Sequence, residues 1–228
     1  VLGRDFDLFQ AAYATTDAGN WDGRIVLQRA FGDDSLAARL GLSAAEVVAR
    51  LEACHARLLE QRAKRLRPTT DDKVLTGWNG LMLSAFAQAA RAFPDQAVAA
   101  KYRQAAAQNA RFLLAALRPN GRLVRTWRAG RTSPQVFLED YAALILGLLD
   151  LYQTDFDPVW FAAARELTDE MVARFVDPAG GFFDTSSEAE SLPVRPKDLQ
   201  DNAVPCGNAL AAEVLLKLAA LTEAPEYR

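Results

Sequence analysis

Apolar residues in this chain fall into segments of two kinds that alternate. The first runs over about 43–65, where Ser43-Ala-Ala-Glu46 forms a capping box and Val47, Leu51, Leu58 and Leu59 follow at helical spacing. Arg57, Arg62, Lys64 and Arg65 collect at its end, where cations suit the helix dipole, and Pro68 closes it. Next, Asn79–Phe93 is apolar or small around most of its circumference, which predicts a helix buried on several sides. Residues 96–117 are amphipathic again, setting Lys101, Arg103 and Arg111 against Tyr102, Phe112 and Leu113, and Pro119-Asn120-Gly121 breaks them. The apolar kind returns at 139–152 and 208–221, with a charged helix at about 157–176 between them. Residues 122–132 predict a short β-ribbon or an ordered loop.

The apolar helices begin at Asn79, Asp140 and Asn208, intervals of 61 and 68 residues. A helical solenoid would repeat every ~34–47 residues, and would not need the long Gly- and Pro-containing loop at 177–201. The alternation instead predicts an all-α fold: a partial α/α toroid of about three helical hairpins, with an inner ring of apolar helices wrapped by amphipathic ones. The domain division expected is an irregular inter-domain segment at 1–42, then the first half of a toroid at 43–228. With no initiator Met and only three inner helices, the sequence reads as a piece of a longer polypeptide.

Because consecutive helices of such hairpins run antiparallel, all inner helices point one way and their N-termini gather at one mouth. Three separate stretches bring polar groups there: Asp71-Asp72-Lys73 with Trp78-Asn79, then Glu139-Asp140-Tyr141, then Asp201-Asn202 with Asn208. Concave sites with convergent polar groups are the usual ligand pockets. A polyhydroxylated ligand fits this set, with Trp78, Trp127, Tyr141 and Phe182 offering apolar faces to C–H groups and Asn79, Glu139 and Asn208 bonding hydroxyls. Asn79, Asp140 and Asn208 equally suit helix N-caps. Glycoside chemistry needs two carboxyls flanking the bond, and Asp72, Asp140 and Asp201 are the catalytic candidates. Arg195 and Lys197, in the loop before the third inner helix, are placed to hold an anionic group or to be solvated.

Composition narrows the alternatives. A net charge of −3 gives no electrostatic footprint for nucleic acid or an anionic bilayer. No apolar run approaches the ~20 residues of a membrane span. The two cysteines, Cys54 and Cys206, show neither a disulfide framework nor zinc spacing, so no metal or cofactor is expected and the cytosol is the natural compartment. Cys206 lies near a helix start, where thiol pKa values fall, but redox work is disfavoured without a CxxC. The single histidine, His55, sits on an outer helix, which disfavours paired-histidine epimerase chemistry.

Several stretches, taken as a set, resemble the YyaL-type, spermatogenesis-associated thioredoxin-like family: RLRPTTDDKVLTGWNGLMLSAFA (65–87), FLEDYAALILGLLDLYQ (137–153), GGFFDT (180–185) and VRPKDLQDNAVPCGNALAA (194–212). DAGNWDGRIVLQR (17–29) fits its inter-domain region. The resemblance implies an upstream thioredoxin-like domain and a six-hairpin toroid akin to N-acylglucosamine 2-epimerases and glycosidases. One departure is Asn202 and Cys206, where relatives usually carry Gly and Ser. The resulting expectation is a carbohydrate-active or carbohydrate-binding domain. The alternative is a non-catalytic scaffold whose partner is the thioredoxin-like domain of the same full-length chain.

Overall fold

The computed structural model describes residues 1–189 and 193–227; residues 190–192, inside the long loop expected at 177–201, and residue 228 lie outside the described set. The chain divides into two compact units, Val1–Thr70 and Asp71–Arg228.

In the first unit a 3-10 turn leads into α1 (Phe6–Tyr13), followed by α2 (Asp33–Leu40) and α3 (Ala44–Ala63). The opening segment expected to be irregular therefore holds two helices, each too short to display a clear apolar period. The helix expected to begin the toroid belongs with them instead. Its Val47, Leu51 and Cys54 bury against Leu8, Phe9 and Leu36, forming a separate core. Ser43 and Glu46 make the expected capping box, Glu46 Oε2 accepting from Ser43 N at 2.8 Å and Ser43 Oγ from Glu46 N at 3.2 Å. Asp5 is buried in this unit and receives Arg50 at 2.7 Å and Arg57 at 3.3 Å. The Arg50 hydrogen bond holds its carboxyl below the usual range.

The second unit contains β1 (Val74–Leu75), α4 (Thr76–Ala92), α5 (Gln96–Ala116), β2 (Thr126–Arg128), β3 (Arg131–Thr132), α6 (Leu138–Asp155), α7 (Pro158–Phe175) and α8 (Gly207–Thr222). Helices α4, α6 and α8 form the inner layer with α6 in the middle, while α5 backs α4 and α7 backs α6. This is the partial α/α toroid that the alternation predicts. The outer helices are capped by aspartates: Asp95 accepts from Ala97 N and Val98 N, and Asp157 from Val159 N, with Pro158 in the first turn.

Position in the layer decides burial. Every residue of α6 from Asp140 to Leu151 is buried, because neighbours cover it on all sides. Helix α7 buries one stripe, Trp160, Ala164, Leu167, Met171 and Phe175. Helices α4 and α8 have α6 on one side only, so Trp78 and Met82 of α4 are 64% and 50% exposed and Leu216 of α8 is 68% exposed. The expectation that all apolar helices are buried on several sides is met by the central one.

Helices α4 and α6 run parallel and approach closely at glycines. A Cβ on Gly80 would come within 2.5 Å of the Ala143–Leu144 backbone, and one on Gly147 within 2.7 Å of Gly80 O. Beyond that contact, buried Asp150 joins all three inner helices, taking Ser84 Oγ and Gln88 Nε2 from α4 and Lys217 Nζ, at 3.2 Å, from α8. At the opposite end the expected ribbon is present as β2 and β3, which turn through Ala129 and Gly130, both at positive φ. A third strand was not foreseen: β1 pairs with β2 in the register Val74↔Trp127 and Leu75↔Thr126, fastening the ribbon to the start of α4.

Candidate ligand site

Three inner-helix starts meet beside this ribbon. At α4, Thr76 N donates to Arg125 O and Gly77 N to Asp140 Oδ1 at 3.1 Å, which binds α4 to both the ribbon and α6. At α8, Gly207 lies so close to α6 that a Cβ there would touch the Leu138 side chain at 3.0 Å and Glu139 N at 3.2 Å. The loop after α7 closes the third side. Phe137 forms an isolated bridge with Thr185, and Leu138 N donates to Asp184 O.

Between the starts of α6 and α8 lies a cavity of about 340 Å³. Arg125, Phe137 and Glu139 line it together with Asp184 and Asp198 of the loop, Gln200 and Asn202, and Cys206 and Gly207 at the start of α8. Arg125 Nη1 bonds Glu139 Oε1 at 2.7 Å and reaches behind it to Asp140 Oδ2 at 3.2 Å, with its guanidinium over the Phe137 ring. Asp184 Oδ2 accepts from Asp198 N at 2.9 Å. Burial lifts the Asp184 carboxyl above its ordinary value, and the nearby charges of Asp198 and Glu139 push the same way. Among the described residues, no group of three or more His, Cys, Asp or Glu is disposed to hold a metal ion, and no helix is long and apolar enough to cross a membrane.

Comparison with known proteins places this architecture. The chain is 37% identical over 217 residues to mouse spermatogenesis-associated protein 20 and 34% identical over 238 residues to the human protein of that name, alignments covering 90% and 94% of the chain. The chain is homologous to the spermatogenesis-associated protein 20 family. It spans 27% and 30% of the length of those two relatives. An uncharacterized protein of Caenorhabditis elegans is 29% identical over 97% of the chain. No protein-family model matches. Among solved structures, cellobiose 2-epimerase from Spirochaeta thermophila superposes with a TM-score of 0.54 at 21% identity, over 68% of this chain and 40% of that one. A GH76 α-mannanase from Bacteroides thetaiotaomicron gives a TM-score of 0.54 at 16% identity, over 99% of this chain and 66% of its own. At such identities the likeness is one of fold, the six-hairpin glycosidase-like α/α toroid.

In this spermatogenesis-associated protein 20 homologue the residues singled out from sequence separate into two groups. Glu139 lines the cavity, and Asp140 stands directly behind it. The carboxylate of Asp140 is 1% exposed and accepts from Phe137 N, Gly77 N and Arg125, so it cross-braces three elements where an N-cap or an open catalytic group was expected. Its burial raises its pKa to about 6 against the pull of Arg125. Tyr141, expected as a ligand contact, points into the core and donates to Glu170 Oε2 at 2.9 Å, because its position on α6 faces α7.

The remaining expected site residues lie outside the cavity lining. Exposed Asp72 pairs with Arg128 at 2.5 Å. Asp201 accepts from Cys206 N at 2.9 Å, closing the turn before α8. Trp78 is exposed, and Asn79 Nδ2 donates back to the carbonyl of Leu75, the residue just before its helix. Trp127 is half-buried edge-on to Phe112. Asn208 spans to the loop, its Oδ1 accepting from Phe182 N while its Nδ2 donates to Phe182 O and Asp198 O. Arg195 turns to Thr185 O, Arg174 O and the Phe183 ring, and Lys197 to Asp177 Oδ2 and Gly180 O, so neither is left to hold an anion. His55 is bonded to Tyr13 OH at 2.6 Å in the first unit. The polar cavity residues not foreseen are Arg125, Asp184, Asp198 and Gln200, and the Phe137 ring was not foreseen either. Two of them, Asp184 and Asp198, lie inside the GGFFDT and VRPKD stretches, where each acid follows aromatic or basic residues that fix the loop.

Proposed function

We propose that this domain binds a polyhydroxylated, sugar-like ligand in the cavity at the inner-helix starts, and that Asp184 and Glu139 are the groups that would move protons in a reaction on it. The cavity carries the reading: it is open, it lies at the starts of α6 and α8, and it mixes carboxylates, Gln200 and Asn202 with the Phe137 ring. Hydroxyl-rich molecules need such paired donors and acceptors beside an apolar face. Asp184 suits a proton-transfer role because burial raises its pKa above the ordinary carboxylate value, and Glu139 is held in place by its ion pair with Arg125.

The test is calorimetric titration of the full-length protein with a panel of neutral mono- and disaccharides. It is paired with alkylation of Cys206, which lines the cavity while Cys54 is enclosed in the first unit. A bound saccharide is expected to slow alkylation of Cys206, and Glu139→Gln is expected to weaken binding. A second reading, an interaction scaffold for a thioredoxin-like domain, is favoured by one observation: Asp72, Asp140 and Asp201 are all engaged by the chain's own groups. Absence of binding and of protection across the whole panel would decide for the scaffold.

A further inference from the structure

We infer that the cavity selects its ligand by charge, taking uncharged or amine-bearing polyols and turning away carboxylated or phosphorylated ones. This rests on the reading of the cavity as a sugar site and adds the class of sugar.

The lining carries three carboxylates, Glu139, Asp184 and Asp198, and a fourth, Asp140, lies behind Arg125. Against them, Arg125 is the sole cation among the described lining residues. It is already committed, since its Nη1 serves both Glu139 and Asp140 and its plane covers the Phe137 ring. An incoming anion would have to displace one of those carboxylates while facing the others.

Cations on the neighbouring loop offer no relief. Lys197 is held by Asp177 at 2.9 Å, and Arg195 is held by two backbone carbonyls. Helix N-termini do attract anions through their free amides, so α6 and α8 oppose this selection. Some of the amides at these starts already have acceptors, however. Phe137 N goes to Asp140, Leu138 N to Asp184 O, Cys206 N to Asp201 and Ala209 N to Cys206 Sγ. Full negative charges on the lining therefore outweigh the partial positive charges at these two helix starts.

The experiment compares, on the full-length protein, the saccharide that binds best in the panel with its amino and carboxylated forms; for glucose these are glucosamine and glucuronate. At low salt the carboxylated form is expected to bind about tenfold more weakly than the neutral one and the amino form at least as tightly as it. The gap should narrow at roughly 0.3 M salt, where screening shortens to several ångströms. Asp198→Asn, which removes one lining charge, should lower the ratio of carboxylated to neutral Kd several-fold, and an unchanged ratio counts against charge selection. Equal binding of all three forms, or tighter binding of the carboxylated form, overturns charge selection while leaving the sugar site standing. Binding by none of them overturns the sugar site and this inference together.

Discussion

Replacing Gly80 by alanine tests the close packing on which the site is built. An alanine Cβ would lie 2.5 Å from backbone atoms of Ala143 and Leu144, about 0.9 Å inside the 3.4 Å at which ordinary contact begins. The obstructing atoms belong to a helix backbone, so no side-chain rotation relieves the clash. Helix α6 cannot simply retreat, because every residue from Asp140 to Leu151 is packed on its other sides. Overpacking of this kind costs about 1–3 kcal/mol, and the rigid neighbour puts this site at the upper end. The better helix propensity of alanine returns about 1 kcal/mol. The net expectation is a loss of about 2 kcal/mol, which lowers the urea midpoint of the second unit by about 1 M for a slope near 2 kcal/mol/M. Gly32→Ala is the control, since a Cβ there meets nothing within 4 Å. A Gly80→Ala protein with an unchanged or higher midpoint and an unchanged slope would refute this account of the α4–α6 contact.

Three further expectations concern protons and hydrogen bonds. The folded pKa of Asp140, about 6, lies above its ordinary 3.8, so the destabilisation from burying its charge is complete above about pH 6 and disappears below 3.8. Wild-type stability relative to Asp140→Asn should therefore rise as pH falls from 6 to 4, and denaturation curves showing a flat difference would contradict it. Asp5 is the opposite case: its folded pKa is lowered by Arg50, so its contribution is present above the unfolded value and lost as pH falls through the folded one. Acid should weaken the first unit, and Asp5→Asn should remove that component, as read by fluorescence of Trp21, the tryptophan of that unit. Asn208→Ala leaves Phe182 N and O without their partner, at a cost of about 1–3 kcal/mol for each buried group left unpaired. The readout is faster hydrogen exchange at Phe182, and unchanged protection there would show that Asn208 does not hold the loop.

The legible part of this fold was the part governed by apolar periodicity. The six helices from α3 to α8 were visible because each is at least 16 residues long and carries a stripe or an all-round apolar surface. The eight-residue α1 and α2 were not, and the unit boundary was missed with them. The site was legible in location but less so in membership. The convergence of helix starts follows from topology alone, and it drew attention to Glu139 and Asp140. Which acids face the cavity depends on loop pairings such as Leu138 N to Asp184 O and Asp198 N to Asp184 Oδ2, which carry no sequence period. Arg195 and Lys197 show the same limit, since the carbonyls that claim them belong to irregular backbone.

The acceptor that completes the first turn of α4 is supplied from elsewhere in the chain. Gly77 N–H finds its partner on Asp140, 63 residues further on, and no side chain of its own N-cap residue serves it. A polypeptide cut after α5 would keep both helices of the first hairpin and lose the carboxylate that finishes one of them. The hairpin is thus a poor unit for excision or grafting, and engineered boundaries in this domain belong after α6 at the earliest.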